Sequence, residues 1–434
     1  MSFRDTSTDE YIELKALLVQ VFFQHVTDLP FFLDKNRFVA SIAGTGYDGA
    51  LNALLATLYL WGVHLCSEGH RRQFESRFAT KAQQAVSQGI LGMQGGRSKG
   101  DSLLYLIQAE ILMAQYLFRN WRHTEGRYHM IKALSLATGA RLHAIRSAEH
   151  SSSDSVLPPP ANAVEEGERI RAFWTVMNQN NSCTSVDGSA PSNLVYTNEP
   201  GLRIDTPWPE DMDTYARTGI SPRLTGNCTV QRFLAGFDDG NHSCPALHAK
   251  ATILFERAAQ VGRKHWDNLL TNSSDTTKSS GEFLEVESTI YSLSQQIAFH
   301  VHHHVTTPPK YFAFVSIMLD SACIRLYQPF IAQQPQSQHM AVSSARNIVR
   351  SIDLLVSTHE QQGVVIDPII GLVALAAFRV LVSEFRKLAA SEATPAMAEI
   401  RKLFNGMSAL SSSCPLMSTQ AIEARQILTE LGAP

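Results

Sequence analysis

The chain has 434 residues, of which 44% are apolar and 18% are charged, and its formal net charge is −3. This length and apolar content are enough to bury a sizeable core. Basic residues occur in groups no larger than pairs such as Arg71-Arg72. Because DNA binding requires clustered cations on one surface, this chain alone is expected to bind DNA poorly. The N-terminal residues are polar and acidic, so no secretory signal is expected.

The first predicted elements are an aromatic segment and an apolar helix. FFQHVTDLPFFLDKNRF, from Phe22 to Phe38, has an aromatic helix end followed by His, Pro, further aromatics and a closing Phe, and Leu54 to Leu65 reads as an apolar helix. Between them, Gly44 to Gly49 fits the dinucleotide pattern G-x-G-x-x-G, with Glu68 about twenty residues on. A buried strand should precede that pattern and does not, so we interpret it as a flexible turn before a helix.

The stretch from Asp101 to His143 predicts two packed helices. On the first helix, apolar residues step by three and four and form one stripe that must be buried: Leu104, Ile107, Ile111, Ala114 and Phe118. On the second helix, mostly small residues allow two backbones to approach closely: Met130, Ala133, Leu134, Ala137 and Ala140. Gly139 is predicted to be the C-terminal stop of this helix.

Polar stretches divide the chain. Residues 151–163 contain three prolines and little apolar area, so they predict a linker between an N-terminal helical half, residues 1–150, and a C-terminal helical half, residues 164–434. Within the second half, residues 191–244 are rich in Pro and Gly and are predicted to drape over the helices as a long loop. Residues 271–282 are predicted to form a polar loop.

Helical periodicity returns after these loops. The predicted helices are Ala246 to Leu270, Glu282 to Val305, Phe312 to Phe330, Met340 to His359, Pro368 to Leu388 and Thr394 to Leu403. The most apolar run, Pro368 to Val382, is shorter than the ~20 residues of a membrane span and is interpreted as a core helix. Strand-like alternation is nearly absent. The predicted fold is all-α, a large irregular helical bundle or array with long polar loops.

These segments, in this order, resemble the fungal-specific transcription factor domain, the regulatory region that follows the binuclear zinc cluster in fungal zinc-cluster transcription factors. The resemblance covers roughly Tyr11 to Phe330. It includes Gly167 to Leu194, which is similar to the family stretch where a Glu- and Arg-rich turn runs into an aromatic-Trp pair. The chain departs from the family where Asn180-Asn181 replaces Asp-Arg and where residues 188–191 replace Gly-Arg-Pro.

The resemblance implies a transcription-regulatory domain that acts in the nucleus through contacts with the transcriptional machinery or other regulators, and it leaves room for a small-molecule effector. No membrane contact is expected. The family's zinc cluster needs six cysteines in a tight run, whereas the six cysteines of this chain are scattered between Cys66 and Cys414. The chain is therefore expected to keep free thiols and to reach DNA only indirectly or through a missing zinc-cluster module. Met1 falls about where that module would have ended, which fits a truncated gene product, a splice form or a loss.

Three motifs suggest metal chemistry when each is taken alone. His300, His302, His303 and His304 cluster in FHVHHHV, but no third ligand is visible near the pair His300 and His304, so we interpret them as exposed imidazoles. Phe237 to His242 resembles the aspartate-rich motif of all-helical terpene cyclases, with His242 in place of the last carboxylate. His359-Glu360 is half of a zinc-protease motif, and Gly363 replaces its second histidine.

Trp174 and the charges before it are interpreted as structural. An aromatic pair at the head of a helix most often anchors a core. Arg169 and Arg171 are expected to join a weak surface network with Glu165, Glu166 or Glu168. We therefore predict that the protein is not an enzyme and assign no catalytic, cofactor-binding, metal-binding or DNA-binding residue; the ligand residues are left unassigned. The alternative prediction is an all-helical metal-dependent enzyme of terpene-cyclase type.

Overall fold

The residues that this computed structural model describes contain sixteen α-helices and no strand, so the predicted all-α class is confirmed. Those residues are 8–43, 48–66, 73–89, 99–148, 157–188, 197–199, 201–221, 224–237, 240–271, 275–303 and 309–432. In chain order the helices are α1 Thr8–Gln24, α2 Lys35–Ile42, α3 Gly49–Leu65, α4 Glu75–Gly89, α5 Lys99–Arg119, α6 His123–Gly139, α7 Ala163–Asp187, α8 Met212–Thr218, α9 Thr229–Leu234, α10 Cys244–Leu270, α11 Thr276–His303, α12 Pro309–Tyr327, α13 Pro335–Gln362, α14 Ile369–Phe385, α15 Ala390–Leu410 and α16 Pro415–Glu430. None of these described helices is long and apolar enough to cross a bilayer.

Helix α5 lies at the centre of the N-terminal half, and every residue from Ser102 to Arg119 is buried. The predicted stripe is buried as expected, but it is only part of what α5 buries, because α3, α4, α6, α7 and α16 all pack against this helix. A helix that is surrounded must also bury its polar side chains, and such groups need hydrogen-bond partners.

Two glutamines show how α5 meets that requirement. The amide of Gln108 accepts a hydrogen bond from the N–H of Phe32 and donates one to the carbonyl of Pro30, each at 2.8 Å. Gln115 donates to Asp367, just before α14, at 2.7 Å. Helix α5 is therefore tied both to the N-terminal aromatic segment and to the C-terminal part of the chain.

The aromatic segment packs onto α5 through a series of edge-to-face rings. Phe22 lies 5.5 Å from Phe31, Phe31 lies 6.0 Å from Phe38, and Phe38 lies 5.9 Å from Tyr105 of α5. Interplanar angles of 70° to 79° are the arrangement that the ring quadrupoles favour. The rings join α1 and α2 to the central helix.

Helix α6 ends at the predicted residue but by a different mechanism. Gly139 is still helical, and the left-handed residue that terminates the helix is Arg141, with φ 59°. The N–H of Ala140 donates to the carbonyl of Leu136, which completes the last turn. The predicted end at Gly139 is confirmed, and the positive φ that often accompanies a glycine stop lies two residues later, at Arg141.

The two predicted halves share one hydrophobic core. Helix α7 packs against α6 on one side and against α10 on the other, α12 packs between α10 and α13, and α13 contacts α14 and α15. Asp28, ahead of α2, lies 2.5 Å from the Nζ of Lys310 through Oδ1 and accepts the N–H of Val365 at 3.1 Å through Oδ2. One carboxylate thus connects the start of the chain to two positions in its last third.

Residues 191–244 contribute to the core and do not only drape over the helices. Their described part contains the short helices α8 and α9 and buries Ile204, Thr206 and Trp208, each no more than 5% exposed. Asp205 accepts the N–H of Cys228 at 2.7 Å, which joins the two arms of this region. The prediction of a loop that only lies over the helices was incomplete, because this stretch buries apolar side chains of its own.

Of the two other predicted loops, the linker ends about where expected and the loop at 271–282 is shorter than expected. Of the linker at 151–163, residues 151–156 lie outside the described residues, and α7 begins at Ala163 with the side chain of Asn162 accepting the N–H of Glu165. Of the loop at 271–282, residues 272–274 lie outside the described residues, and α11 already begins at Thr276. The first turn of α11 accommodates polar residues because their hydroxyls find partners within the helix. The hydroxyl of Ser279, for example, donates a hydrogen bond to the carbonyl of Thr276.

Candidate functional site

Four helices meet around an aromatic cleft of about 200 Å³. His265 comes from α10, Phe283 from α11 and Tyr327 from the end of α12, while the N-terminal turn of α13 closes the fourth side. After Tyr327 a single 3-10 turn containing Pro329 leads to Pro335, where α13 begins. Because proline restricts φ and suits a helix start, these two residues fix the tight connection beside the cleft.

The aromatic walls of the cleft stand nearly at right angles to each other. Phe283 lies 5.6 Å from Phe330 with 89° between the ring planes, and 5.4 Å from Tyr327 with 78° between the planes. His265 lies 5.5 Å from Phe283 and 5.6 Å from Phe330. Phe330 and Tyr327 are buried and Phe283 is half-buried, so the rings form an apolar corner that packing holds in place.

Glu287 places one carboxylate against this apolar corner. The hydroxyl of Tyr327 donates a hydrogen bond to Glu287 Oε1. Burial and the carboxylate both raise the pKa of Tyr327 above its usual value, so the hydroxyl keeps its proton and remains a donor. In the described part of the chain no lysine or arginine pairs with Glu287.

His265 lines the cleft with an imidazole whose donor direction is fixed by its neighbour. Ser279 Oγ already donates to the carbonyl of Thr276 at 3.0 Å, so it accepts from His265 Nδ1 at 2.9 Å. Burial lowers the pKa of His265, which favours the uncharged ring near pH 7. The formal charge of the lining is then the single negative charge of Glu287.

This arrangement suits a small ligand with an apolar body and a positively charged or hydrogen-bond-donating group. The cleft is smaller than the ~300 to 1,000 Å³ that accommodates a drug-sized molecule. The side chains at its mouth are exposed and either apolar, Leu284, or uncharged and polar, Gln334 and Gln336. Aromatic faces attract cations, and a carboxylate pairs with them.

The structure also brings together two motifs that the sequence left apart. The rings of His242 and His300 lie 4.9 Å apart, with 41° between their planes. The other histidines and the aspartates of the two motifs lie outside the described residues or have side chains that do: Asp238, Asp239, His302, His303 and His304. Among the side chains that are described, no group of three or more His, Cys, Asp or Glu is placed to hold a metal ion.

The dinucleotide pattern and the zinc-protease half-motif occur in structural positions. Residues 44–47 lie outside the described residues, and Asp48 is the N-cap of α3, where it accepts the N–H of Leu51 at 2.8 Å. The described element ahead of residues 44–47 is helix α2, and not the buried strand that a dinucleotide-binding turn follows. His359 Nδ1 lies 2.7 Å from the carbonyl of Val364, beyond the end of α13.

Trp174 is a core residue, as predicted. Its indole is 1% exposed, donates to the carbonyl of Pro207 at 2.7 Å and stacks on Trp208 with the ring centroids 4.5 Å apart. These contacts seat the region between α7 and α10 on the core. The tryptophan serves the fold and lies outside the cleft.

The charges ahead of Trp174 are not a surface network. Arg169 pairs with Glu165 at 2.5 Å, as expected, but both side chains are buried, and Arg169 also donates to the carbonyl of Pro158. Glu168 is buried too and pairs with Arg37 of α2. The expectation of a weak surface network was wrong, because the chain between Pro158 and α7 and the start of α2 cover these side chains.

The amides that replace Asp-Arg of the resembled family lie in the interior. Asn180 is 5% exposed and Asn181 is 1% exposed. In the described part of the chain, Nδ2 of both residues and Oδ1 of Asn181 have no hydrogen-bond partner in the protein. An unsatisfied buried polar atom costs about 1 to 3 kcal/mol, so this departure is expected to weaken α7.

None of the six cysteines, which all lie within the described residues, forms a disulfide bond. Burial raises the pKa of Cys183 to about 12 and that of Cys323 to about 11, so both remain protonated and unreactive near neutral pH.

Sequence reasoning did not find the cleft. Its chemistry depends on Glu287 meeting Tyr327 across forty positions and two helices, and no local spacing reports such a contact. The one available signal was the presence of Phe283 near the start of α11 and of Tyr327 and Phe330 near the end of α12, which in a helical protein also fits ordinary core packing.

No family model, curated protein or solved structure matches this chain. The functional interpretation therefore depends on the residues themselves and on the contacts described above.

Proposed function

We propose that this protein is a fungal transcription-regulatory domain that acts in the nucleus through protein contacts, without its own DNA-binding module, and that the aromatic cleft receives a small effector. The observation that carries the proposal is the order of family-like segments between Phe22 and Leu194. The first of these segments and the Asp101 to His143 pair support it further, because both contribute buried residues to one core around α5.

Exposed apolar side chains support a role in protein contacts. On α11, Leu284 is 61% exposed, Tyr291 67% and Phe299 59%. They are spaced seven and eight residues apart, so they lie on one side of the helix. We name these three residues the α11 stripe. Exposed apolar surface of this kind favours recognition by another macromolecule.

A reporter assay tests the proposal. The full chain, fused to an unrelated DNA-binding module, is expected to change transcription of a reporter severalfold. Tyr291→Lys in the stripe is expected to reduce that effect, because a charge is then placed in the contact surface. Ile12→Lys on α1, also exposed, serves as the matched control and is expected to leave the effect unchanged. A fused wild-type chain that leaves the reporter unaltered would contradict the proposal.

A second candidate is an all-helical metal-dependent enzyme, and the proximity of His242 and His300 favours it. Imidazole nitrogens suit zinc, copper, iron and nickel. Metal analysis of the purified protein, together with turnover assays on prenyl diphosphates, separates this candidate from the regulatory one. Stoichiometric metal together with turnover would replace the regulatory proposal. The absence of both metal and turnover would rule out the enzyme candidate.

A further inference from the structure

The aromatic cleft contains a carboxylate with an unusual set of neighbours. Glu287 is half-buried and lies beside the rings of Phe283, Tyr327 and Phe330. A charged side chain that is withdrawn from water often pairs with an opposite charge, and elsewhere on α11 Glu282 does so, with Lys264 at 3.0 Å. Glu287 instead accepts a hydrogen bond from the neutral hydroxyl of Tyr327, and no described lysine or arginine pairs with it. Among the described residues, therefore, none neutralises the negative charge in the cleft.

The hydrogen bond from Tyr327 orients the carboxylate without neutralising it. A phenol with a raised pKa keeps its proton, so the bond to Oε1 holds the carboxylate in place through a neutral donor. An ionised carboxylate can accept several hydrogen bonds on its two oxygens. The second oxygen, Oε2, can thus accept from a ligand that enters the cleft.

The walls add the second attraction that a cation needs. Phe283, Tyr327 and Phe330 all line the cleft beside Glu287, so a cation bound by the carboxylate also lies near aromatic rings. Aromatic ring faces attract a cation that lies within about 6 Å, and the attraction strengthens as water is excluded. The imidazole of His265 is uncharged near neutral pH and does not repel a cation.

We propose that this cleft binds a small organic ammonium ion, with the ammonium group on Glu287 and the apolar body between the rings. The volume of about 200 Å³ limits the guest to a small free amine or to one amine-bearing side chain, such as a lysine of a peptide. Identification of this ion as an effector rests on the proposed function, whereas its binding does not.

Calorimetric titration of the full chain tests the binding. The probes are benzylammonium, the neutral benzyl alcohol of similar shape, and a short acetylated peptide with a single lysine. Benzylammonium is expected to bind at least tenfold more tightly than benzyl alcohol, and this preference should weaken as ionic strength rises. Tighter binding of the lysine peptide than of benzylammonium would identify a protein side chain as the guest, whereas the reverse order would identify a free amine.

Variants locate the site. Glu287→Gln keeps an acceptor for Tyr327 and is expected to remove the preference for the ammonium ion. Glu285→Gln, two residues away and exposed, is the matched control and should retain it. Circular dichroism of each variant confirms that the fold is kept. No ammonium binding up to millimolar concentration, or a preference unchanged in Glu287→Gln, would overturn the proposal. Because the reporter assay contains no added amine, its failure would remove the regulatory role without affecting this result.

Discussion

Arg119 is a charged residue held almost entirely within the core. It is 1% exposed, it donates to the carbonyl of Ile366 and to His64 Nε2, and its guanidinium lies 5.9 Å from the ring centre of Trp61. Burial lowers the pKa of Arg119, while the nearby carboxylates of Asp367 and Glu75 oppose that shift. Acceptors in the protein replace the water that would otherwise solvate the guanidinium. Removing Arg119 should therefore destabilise the folded state.

We predict that Arg119→Met lowers the free energy of unfolding by about 3 to 5 kcal/mol, because buried acceptors and negative charges lose their partner. Arg119→Lys should cost less, since it keeps the charge but loses the planar fork. Urea unfolding measures both. Arg122→Met, which removes the exposed Arg122–Glu125 pair, is the control and should cost no more than about 1 kcal/mol. Equal costs at the two positions would contradict this account.

Glu256 gives a pH dependence at the residue scale. It is 1% exposed, and burial raises its pKa from 4.5 to about 7, against the opposing effects of a hydrogen bond with Gln260 and the charge of Arg257. Between about pH 4.5 and pH 7 the folded chain therefore binds more protons than the unfolded chain, so the contribution of this residue to stability falls as pH rises through that range.

Glu256→Gln should remove this dependence. The variant is expected to be more stable than the parent chain at pH 8, by roughly 3 kcal/mol at most, and to lose that advantage near pH 4.5. Urea unfolding at pH 5, 6, 7 and 8 measures the difference between the two proteins. Glu285→Gln on the surface is the control, with little change expected at any pH. If the stability advantage of Glu256→Gln over the parent chain grew toward low pH, the result would contradict this account.

Close contact between two helices sets a limit at the element scale. A Cβ on Gly62 of α3 would lie 2.4 Å from the carbonyl oxygen of Leu18 in α1, whereas a Cβ on Gly139 of α6 would meet no atom within 4 Å. Both glycines are helical, so alanine gains a similar intrinsic propensity at both sites. The space around each residue then decides the outcome.

We predict that Gly62→Ala destabilises the protein by about 1 to 3 kcal/mol and that Gly139→Ala stabilises it by about 0.5 to 1 kcal/mol. Thermal or urea unfolding of the matched pair measures both signs. Stabilisation by Gly62→Ala would mean that α1 and α3 are not held together as closely as described.

Much of the element pattern could be predicted from the sequence, since periodicity in α5, α6, α10 and the later helices reports which residues face the interior. What could not be predicted depends on contacts between distant elements. The burial of α5 on all sides follows from five neighbours that its own pattern does not encode. The start of α11 at Thr276 likewise depends on local hydroxyl bonds within a polar stretch that reads as a loop.

The candidate site was the part least accessible to sequence reasoning. Glu287 and Tyr327 are separated by forty positions, and their pairing arises only when α11 and α12 pack together. The histidine cluster and the aspartate-rich motif show the same limit. Each motif was visible in the sequence by its spacing, whereas the contact between His242 and His300 was not. Local patterns report faces and caps, whereas a site assembled from several helices requires the tertiary structure.

The whole molecule is expected to unfold as one unit, because its core extends across both predicted halves. A fragment of residues 1–150 lacks the partners of Gln115 and Arg119 on the segment that precedes α14. We predict that this fragment shows no sharp urea transition by circular dichroism. The intact chain should show coincident transitions by circular dichroism and tryptophan fluorescence. A fragment that unfolds cooperatively on its own would establish the first half as an independent domain.

Asp28 has a consequence for how the protein is made. Its two oxygens meet Lys310 and Val365, which lie 282 and 337 positions further along the chain. At ~5 to 20 residues per second, the ribosome takes on the order of half a minute to supply the second of them. During that interval the aromatic side chains near the N-terminus lack part of their cover. Newly made chains should therefore depend on chaperones until translation has passed Val365.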